Sequence, residues 1–299
     1  YFQLWRPADL KKLEQGLRAA GISLRQSKFA LKESNPQKWR QYLLGVWRRH
    51  QNKPEMAALY QSKLMIARNL LSKWAKEHPE LKLPVTFDNW YTQPAFCRFL
   101  DQELGLPYVG TLADDDQVIL KGGRLTLAEF ALRLKQEHLQ ALKAGGKPVF
   151  HKIGITYKGQ KETYYSYCHT HRIHNYGKQR LVINFNWEDL SDSPSFYISN
   201  RLYWQSVGIT RIRRHRWPVE VYHEEGKTEG LDQYQVRDFR AICRHIGLVA
   251  VAYSLLRAAP HDDALLQKLQ RQIEFDLDGS VPFWRRVTQA QSLWALACF

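Results

Sequence analysis

Cysteine is scarce in this 299-residue chain: Cys97, Cys168, Cys243 and Cys298 lie far apart, with no C-x-x-C pair. That spacing argues against a disulfide framework and a cysteine zinc site, and it suits a reducing, cytoplasmic compartment. Long apolar runs are also missing. The longest, around residues 246–252, is far too short for a bilayer core of roughly 30 Å, which excludes a membrane-spanning helix. Acids are few: 29 Asp and Glu stand against 44 Lys and Arg, a formal net charge of +15. Such a surplus concentrates polyanions at the surface and points to DNA or RNA as partner. Methionine occurs twice, first at Met56, and the opening Tyr1-Phe2-Gln3-Leu4-Trp5 lacks both an initiator and a signal-peptide layout. It reads as an internal start, with further sequence expected upstream.

What is present is core-forming material, 44% apolar and 24% charged, at a length that predicts about two domains. Residues 1–6 read as the end of a strand, and Pro7 and Asp9 start a short basic helix, Asp9 as its N-cap, which Gly21 closes. Asn35-Pro36 opens a helix on Trp39, Leu43, Val46 and Trp47. Pro54 opens another, on Leu59 through Trp74, and these tryptophans read as core. Residues 84–88 read as a strand, 96–104 as a helix and 108–112 as a second strand. So short a crossover predicts parallel neighbours, with ligands beyond the strands' carboxyl ends, where Asp88 stands. A helix over 126–144 leads into strands at 149–157, 163–169 and 180–186, joined by hairpin turns and read as an inserted β subdomain. Residues 195–200 return as a core strand. The last third is helical, with a long amphipathic helix on Phe239, Ile242, Ile246, Val249, Tyr253 and Leu256.

Residues 211–237, RIRRHRWPVEVYHEEGKTEGLDQYQVR, carry the most chemistry. Arg211, Arg213, Arg214 and Arg216 make a basic edge able to neutralise several phosphates, or a solvated helix face. In one helix Arg216, Glu220, Glu224 and Lys227 share a stripe. A glutamate is a hard oxygen ligand for Mg²⁺, and cutting a phosphodiester with two such ions needs carboxylates from separate elements. Asp88 at a strand end and Glu220 on a later helix are two candidates.

The segment resembles the DDE-type insertion-sequence transposases, whose signature is Tyr-x(2)-Arg-x(3)-Glu-x(6)-Lys. Arg216, Glu220 and Lys227 occupy its positions, with Arg213 in place of the tyrosine, and the tail Gly230-Leu231-x(2)-Tyr234-x(2)-Arg237, then Arg244-His245, matches as well. Upstream, Phe87-Asp88-Asn89-Trp90-Tyr91 and Ser199-Asn200 look like the family's other landmarks, so the likeness runs over residues 59–256. The resemblance implies an α/β, RNase H-like mixed sheet flanked by helices, with an inserted antiparallel β subdomain and a helical C-terminal extension. The implied division is 1–120 and 191–257 for the core, 121–190 for the insertion and 258–299 for the extension. It further implies catalytic and metal-binding roles for Asp88 and Glu220, Mg²⁺ or Mn²⁺ as cofactor, and DNA contacts from Arg213, Arg214, Arg216, Lys227 and Arg237. The reaction would be hydrolysis of one DNA strand followed by attack of the freed 3′-hydroxyl, in a homodimer assembled on transposon ends in the bacterial cytoplasm.

The family's first aspartate has no counterpart here and is expected upstream of Tyr1, so the chain alone is expected not to cut DNA. A non-catalytic DNA-binding remnant or domesticated protein is the alternative. Cys168, His169, His171 and His174 are zinc-ligand residue types, but they do not converge easily on a strand, because 169 and 171 share the face opposite 168. A basic, aromatic hairpin touching DNA is the preferred reading there, with Tyr164, Tyr165, Tyr167, Arg172, Lys178 and Arg180. Trp187 reads as core, or as a DNA-binding residue that stacks on an unpaired base.

Overall fold

The computed structural model describes residues 5–157, 159–228, 231–232 and 238–258, in two units, Tyr1–Arg216 and Trp217–Phe299. The first unit begins with helices. Asp9 caps α1 (Leu10–Ala19) as expected, its Oδ1 accepting from the Lys11 and Lys12 amides, and Gly21 follows the helix at φ +72°. After the short α2 (Leu31–Ser34), α3 (Pro36–His50) starts on Asn35, which accepts from the Lys38 amide. Trp39 and Trp47 are buried with Leu13, Leu17, Leu43, Val46 and Met56 in a core of their own. The helix expected from Pro54 through Trp74 is two. α4 (Pro54–Leu59) ends, and Ser62 accepts from the Met65 amide to start α5 (Lys63–Glu77). An N-cap serine inside a continuous apolar periodicity is easily read through.

β1 (Val85–Phe87) and β2 (Tyr108–Leu112) pair in parallel, as predicted, joined by α6 (Pro94–Arg98) and a π-helical turn, Phe99–Glu103. The hairpin β3 (Gln117–Leu120) and β4 (Gly123–Thr126) was not anticipated, since each strand has four residues, too few for alternation to stand out. Thr126 and Glu129 form a capping box for α7 (Leu127–Lys143). The antiparallel strands β5 (His151–Tyr157), β6 (Gln160–Ile173), β7 (Gly177–Phe185) and β8 (Ser195–Ser199) follow. Among the described residues the strand order is β1-β2-β8-β7-β6-β3-β4, with β5 also on β6, and only β1 and β2 run parallel.

This is a mixed, mostly antiparallel sheet flanked by helices. The strands read as an inserted β subdomain join the same sheet as β1 and β2, β8 pairing with both β7 and β2. Leu181, Val182 and Ile183 are each completely buried, so β7 is covered on both faces, as a central strand requires. One face carries the main core, including Phe130, Leu134, Tyr167, Phe196 and Ile198. Over the other lies α8 (Ser206–Arg214), packed through Ile209 on Val109 and Val182.

In the second unit, α9 (Pro218–Thr228) and α10 (Phe239–Ala258) meet at an edge-on Tyr222–Tyr253 pair, 5.0 Å between ring centroids. α10 covers the amphipathic helix read from the sequence. The expected extension at 258–299 lies outside the described residues apart from the end of α10. So do Tyr1–Leu4 of the expected first strand, while Trp5 and Arg6 are in no strand. Among the described residues no helix is long and apolar enough to cross a membrane.

Candidate functional site

Asp88 directly follows β1, half-buried, in a loop that its own polar atoms organise. Its Oδ1 accepts from the Tyr91 amide at 3.2 Å, and its carbonyl accepts from the Thr92 amide at 3.1 Å and hydroxyl at 2.7 Å. The loop is braced from two sides. Tyr176 Oη donates to the Thr92 carbonyl at 2.7 Å, and Gly110 on β2 lets the loop close down. A Cβ at Gly110 would stand 2.8 Å from the Phe87 ring and 2.9 Å from Thr92 Oγ1, so only glycine permits this approach. The other carboxylate oxygen of Asp88 has no hydrogen-bond donor among the described residues. Burial, then the Asp88 charge, raises the Tyr91 phenol above its ordinary pKa.

The arginines of α8 are more engaged than a bare basic edge. Arg213 reaches across the sheet, Nε donating to Thr111 Oγ1 at 2.8 Å, with its guanidinium 5.7 Å from the Tyr197 ring centroid. Arg214 grips Glu162 of β6 with Nε at 3.0 Å from both carboxylate oxygens and Nη2 at 2.8 Å from Oε1, and lies 4.8 Å from the Tyr157 ring centroid. Tyr164 Oη donates to the same carboxylate at 2.9 Å. Glu162 was not singled out in the sequence, where a charged residue in an alternating strand gives no hint of a partner on a distant helix.

The Arg214 hydrogen bond holds the Glu162 carboxyl below the ordinary carboxylate range, despite partial burial. A depressed acid pKa stabilises the fold above the unfolded value and loses that contribution as pH falls through the folded one. The pair is partly solvated, with side chains 30% and 22% exposed, so its worth is about 1 kcal/mol. Urea unfolding should therefore show Glu162→Gln less stable than wild type at neutral pH, with the gap closing below about pH 4. A gap unchanged by pH would mean that the carboxylate charge contributes nothing.

α8 stops at Arg214, and α9 begins at Pro218. The single helical stripe expected for Arg216, Glu220, Glu224 and Lys227 is thereby corrected. Arg216 sits in the intervening turn, its amide donating to the Arg213 carbonyl, and Trp217 follows it as the residue at which Pro218 disfavours helix. Glu220, Glu224 and Lys227 do share a face of α9. Glu220 is half-buried in its first turn and Lys227 exposed in its last, placements that also suit the helix dipole. Asp88, Arg213, Arg214 and Arg216 belong to the first unit, Glu220 and Lys227 to the second. Arg237 lies outside the described residues.

Trp187 is not core: it is 63% exposed in the loop after β7. Asp192 organises that loop, accepting from Asn186 and from the Trp187 amide. The open depression there is lined by Trp187, Glu188, Asp189 and Ser191, with the indole face available to an apolar or aromatic surface. His169 and His171 do share a face of β6. His171 Nε2 lies 2.7 Å from Tyr167 Oη, while Cys168 faces the other way, its Sγ 3.8 Å from the Trp204 carbonyl. Burial lowers both imidazole pKa values.

Among the described residues, no three His, Cys, Asp or Glu side chains gather as a metal site. No protein-family model matches the chain, and no curated protein matches it.

Proposed function

We propose that the chain is the DNA-handling core of a DDE-type insertion-sequence transposase with an RNase H-like sheet. The observation that carries this reading is the placement of Asp88. It follows β1 at the carboxyl end of a parallel β-α-β unit, in a loop pinned by Gly110 and Tyr176, with one carboxylate oxygen unused. Ligands of α/β sheets collect at such ends. The chain order gives further support: antiparallel strands, then arginines on α8, then Glu220 and Lys227 on α9.

Asp88 and Glu220 are the two carboxylates of this proposal. A third comes from outside the described residues, and Mg²⁺ or Mn²⁺ belongs to the proposal only with that third acid. Arg216 and Lys227 hold the backbone of the transposon end. The non-catalytic DNA-binding protein is the second reading, favoured by the absence of a complete carboxylate set among the described residues.

The test is strand nicking of terminal-repeat DNA in Mg²⁺ by the full reading frame. Wild type should nick, and Glu220→Ala should bind the same DNA without nicking it. Wild-type binding without nicking favours the second reading.

A further inference from the structure

Within the first unit, the cross-strand register assembles a second basic surface, away from α8. Arg124 of β4 lies opposite Ile119 of β3, Ile119 opposite Arg172 of β6, and Arg172 opposite Lys178 of β7. Directly opposed residues point to the same side of a sheet, so Arg124, Arg172 and Lys178 form one row on one face. It is the face that α8 covers further along the strands. Stepping two residues down β6 and β7 from Arg172 and Lys178 reaches Thr170 and Arg180, then Cys168 and Val182, the last beneath Ile209.

Arg124, Arg172 and Lys178 are all exposed, and none has an ion-pair partner among the described residues. The row is bordered by the loop over Thr170 and Arg180, whose side chains donate to the Leu202 and Trp204 carbonyls, and this loop leaves Tyr203 75% exposed.

Like charges placed directly opposite on a sheet are destabilising. An Arg172–Lys178 pair with no ion-pair partner among the described residues is therefore an electrostatic cost that an external anion would relieve. A single phosphate would not span the row, which crosses three inter-strand spacings, roughly 14 Å. Duplex DNA carries a charge per about 1.7 Å of axis, so about eight phosphates lie along that length.

We infer that Arg124, Arg172 and Lys178 form a sequence-independent docking surface for the phosphate backbone of duplex DNA, which the exposed Tyr203 flanks. The surface rests on the proposed function only in taking DNA as the partner. It needs neither Asp88 nor Glu220.

The test is binding of a mixed-sequence duplex, by fluorescence anisotropy in EDTA over a salt series, so that no strand is cut. Each lost phosphate contact lowers the slope of log affinity against log salt by about 0.9. Arg172→Gln combined with Lys178→Gln should reduce the slope by about 1.8 and weaken binding about tenfold or more near 0.1 M salt. Its thermal midpoint without DNA should not fall, because a like-charge contact has been removed. Lys143→Gln with Lys147→Gln, two exposed lysines at and beyond the end of α7, should leave the slope unchanged.

A double variant with the wild-type slope overturns the surface and leaves DNA binding elsewhere intact. Wild type that binds no duplex overturns the surface together with the choice of DNA as partner. If phosphatidylserine vesicles are bound through Arg172 and Lys178 while DNA binding is unaffected, the proposal is overturned in favour of a lipid surface. A reduced slope in a protein that never nicks upholds the surface and removes only the catalytic reading.

Discussion

Asp88→Asn should abolish strand nicking by the full reading frame while leaving the fold untouched. The asparagine keeps an oxygen where Oδ1 accepts from the Tyr91 amide, so the loop after β1 retains its hydrogen bonds and its packing against Gly110. What it loses is the charge, including that of the oxygen with no donor. Divalent-ion sites supply several kcal/mol of transition-state stabilisation, so loss of one carboxylate should cost on the order of 10³-fold in nicking rate. Asp88→Ala removes both charge and acceptor. It should be as inactive, and less stable by about 1 kcal/mol, since the Tyr91 amide loses its partner. The comparison separates the two roles of the side chain. Full nicking by Asp88→Asn, with loss only in Asp88→Ala, would reduce Asp88 to a turn-forming residue and remove it from the proposed site.

The parts of this arrangement that were legible in the sequence are local. Asp9 before Leu10, Thr126 before α7 and the parallel pair around Asp88 announce themselves through caps, prolines and short apolar runs that fix backbone geometry over a few residues. Register does not announce itself. The opposition of Arg172 and Lys178 follows from a turn at Tyr176-Gly177, but their alignment with Arg124 depends on β3 joining β6, a pairing that no spacing encodes. Arg214 carries the same lesson. As one of four arginines in six residues it reads as a phosphate contact, yet Glu162, Tyr164 and Tyr157 surround it in the folded chain. A charge motif specifies which side chains are available, and tertiary pairing decides which of them are already committed.

Asn200 shows how a residue singled out beside a motif acquires a physical role. Its Oδ1 accepts from the Tyr108 amide at 3.0 Å, and its Nδ2 donates to Asp101 Oδ1 at 2.6 Å and to the Leu106 carbonyl at 3.1 Å. One amide therefore joins the end of β8 to the start of β2 and to the π-helical turn before it. Asn200→Ala leaves the Tyr108 amide without that acceptor, in a region where Leu106 and Tyr108 are essentially inaccessible, and should cost about 2–3 kcal/mol in urea unfolding. Asn200→Asp preserves the acceptor but cannot donate, and it places a second carboxylate against Asp101. At neutral pH it should therefore be the less stable of the two. Repulsion raises the folded pKa of that carboxyl pair above the unfolded value, so the folded state binds the extra proton first. The penalty is then present at neutral pH and relieved as pH falls through the raised value. Asn200→Asp should gain on Asn200→Ala in mildly acidic buffer. If the two variants keep a constant difference from pH 7 to pH 4, the contact with Asp101 contributes nothing, and the amide acts through Tyr108 and Leu106 alone.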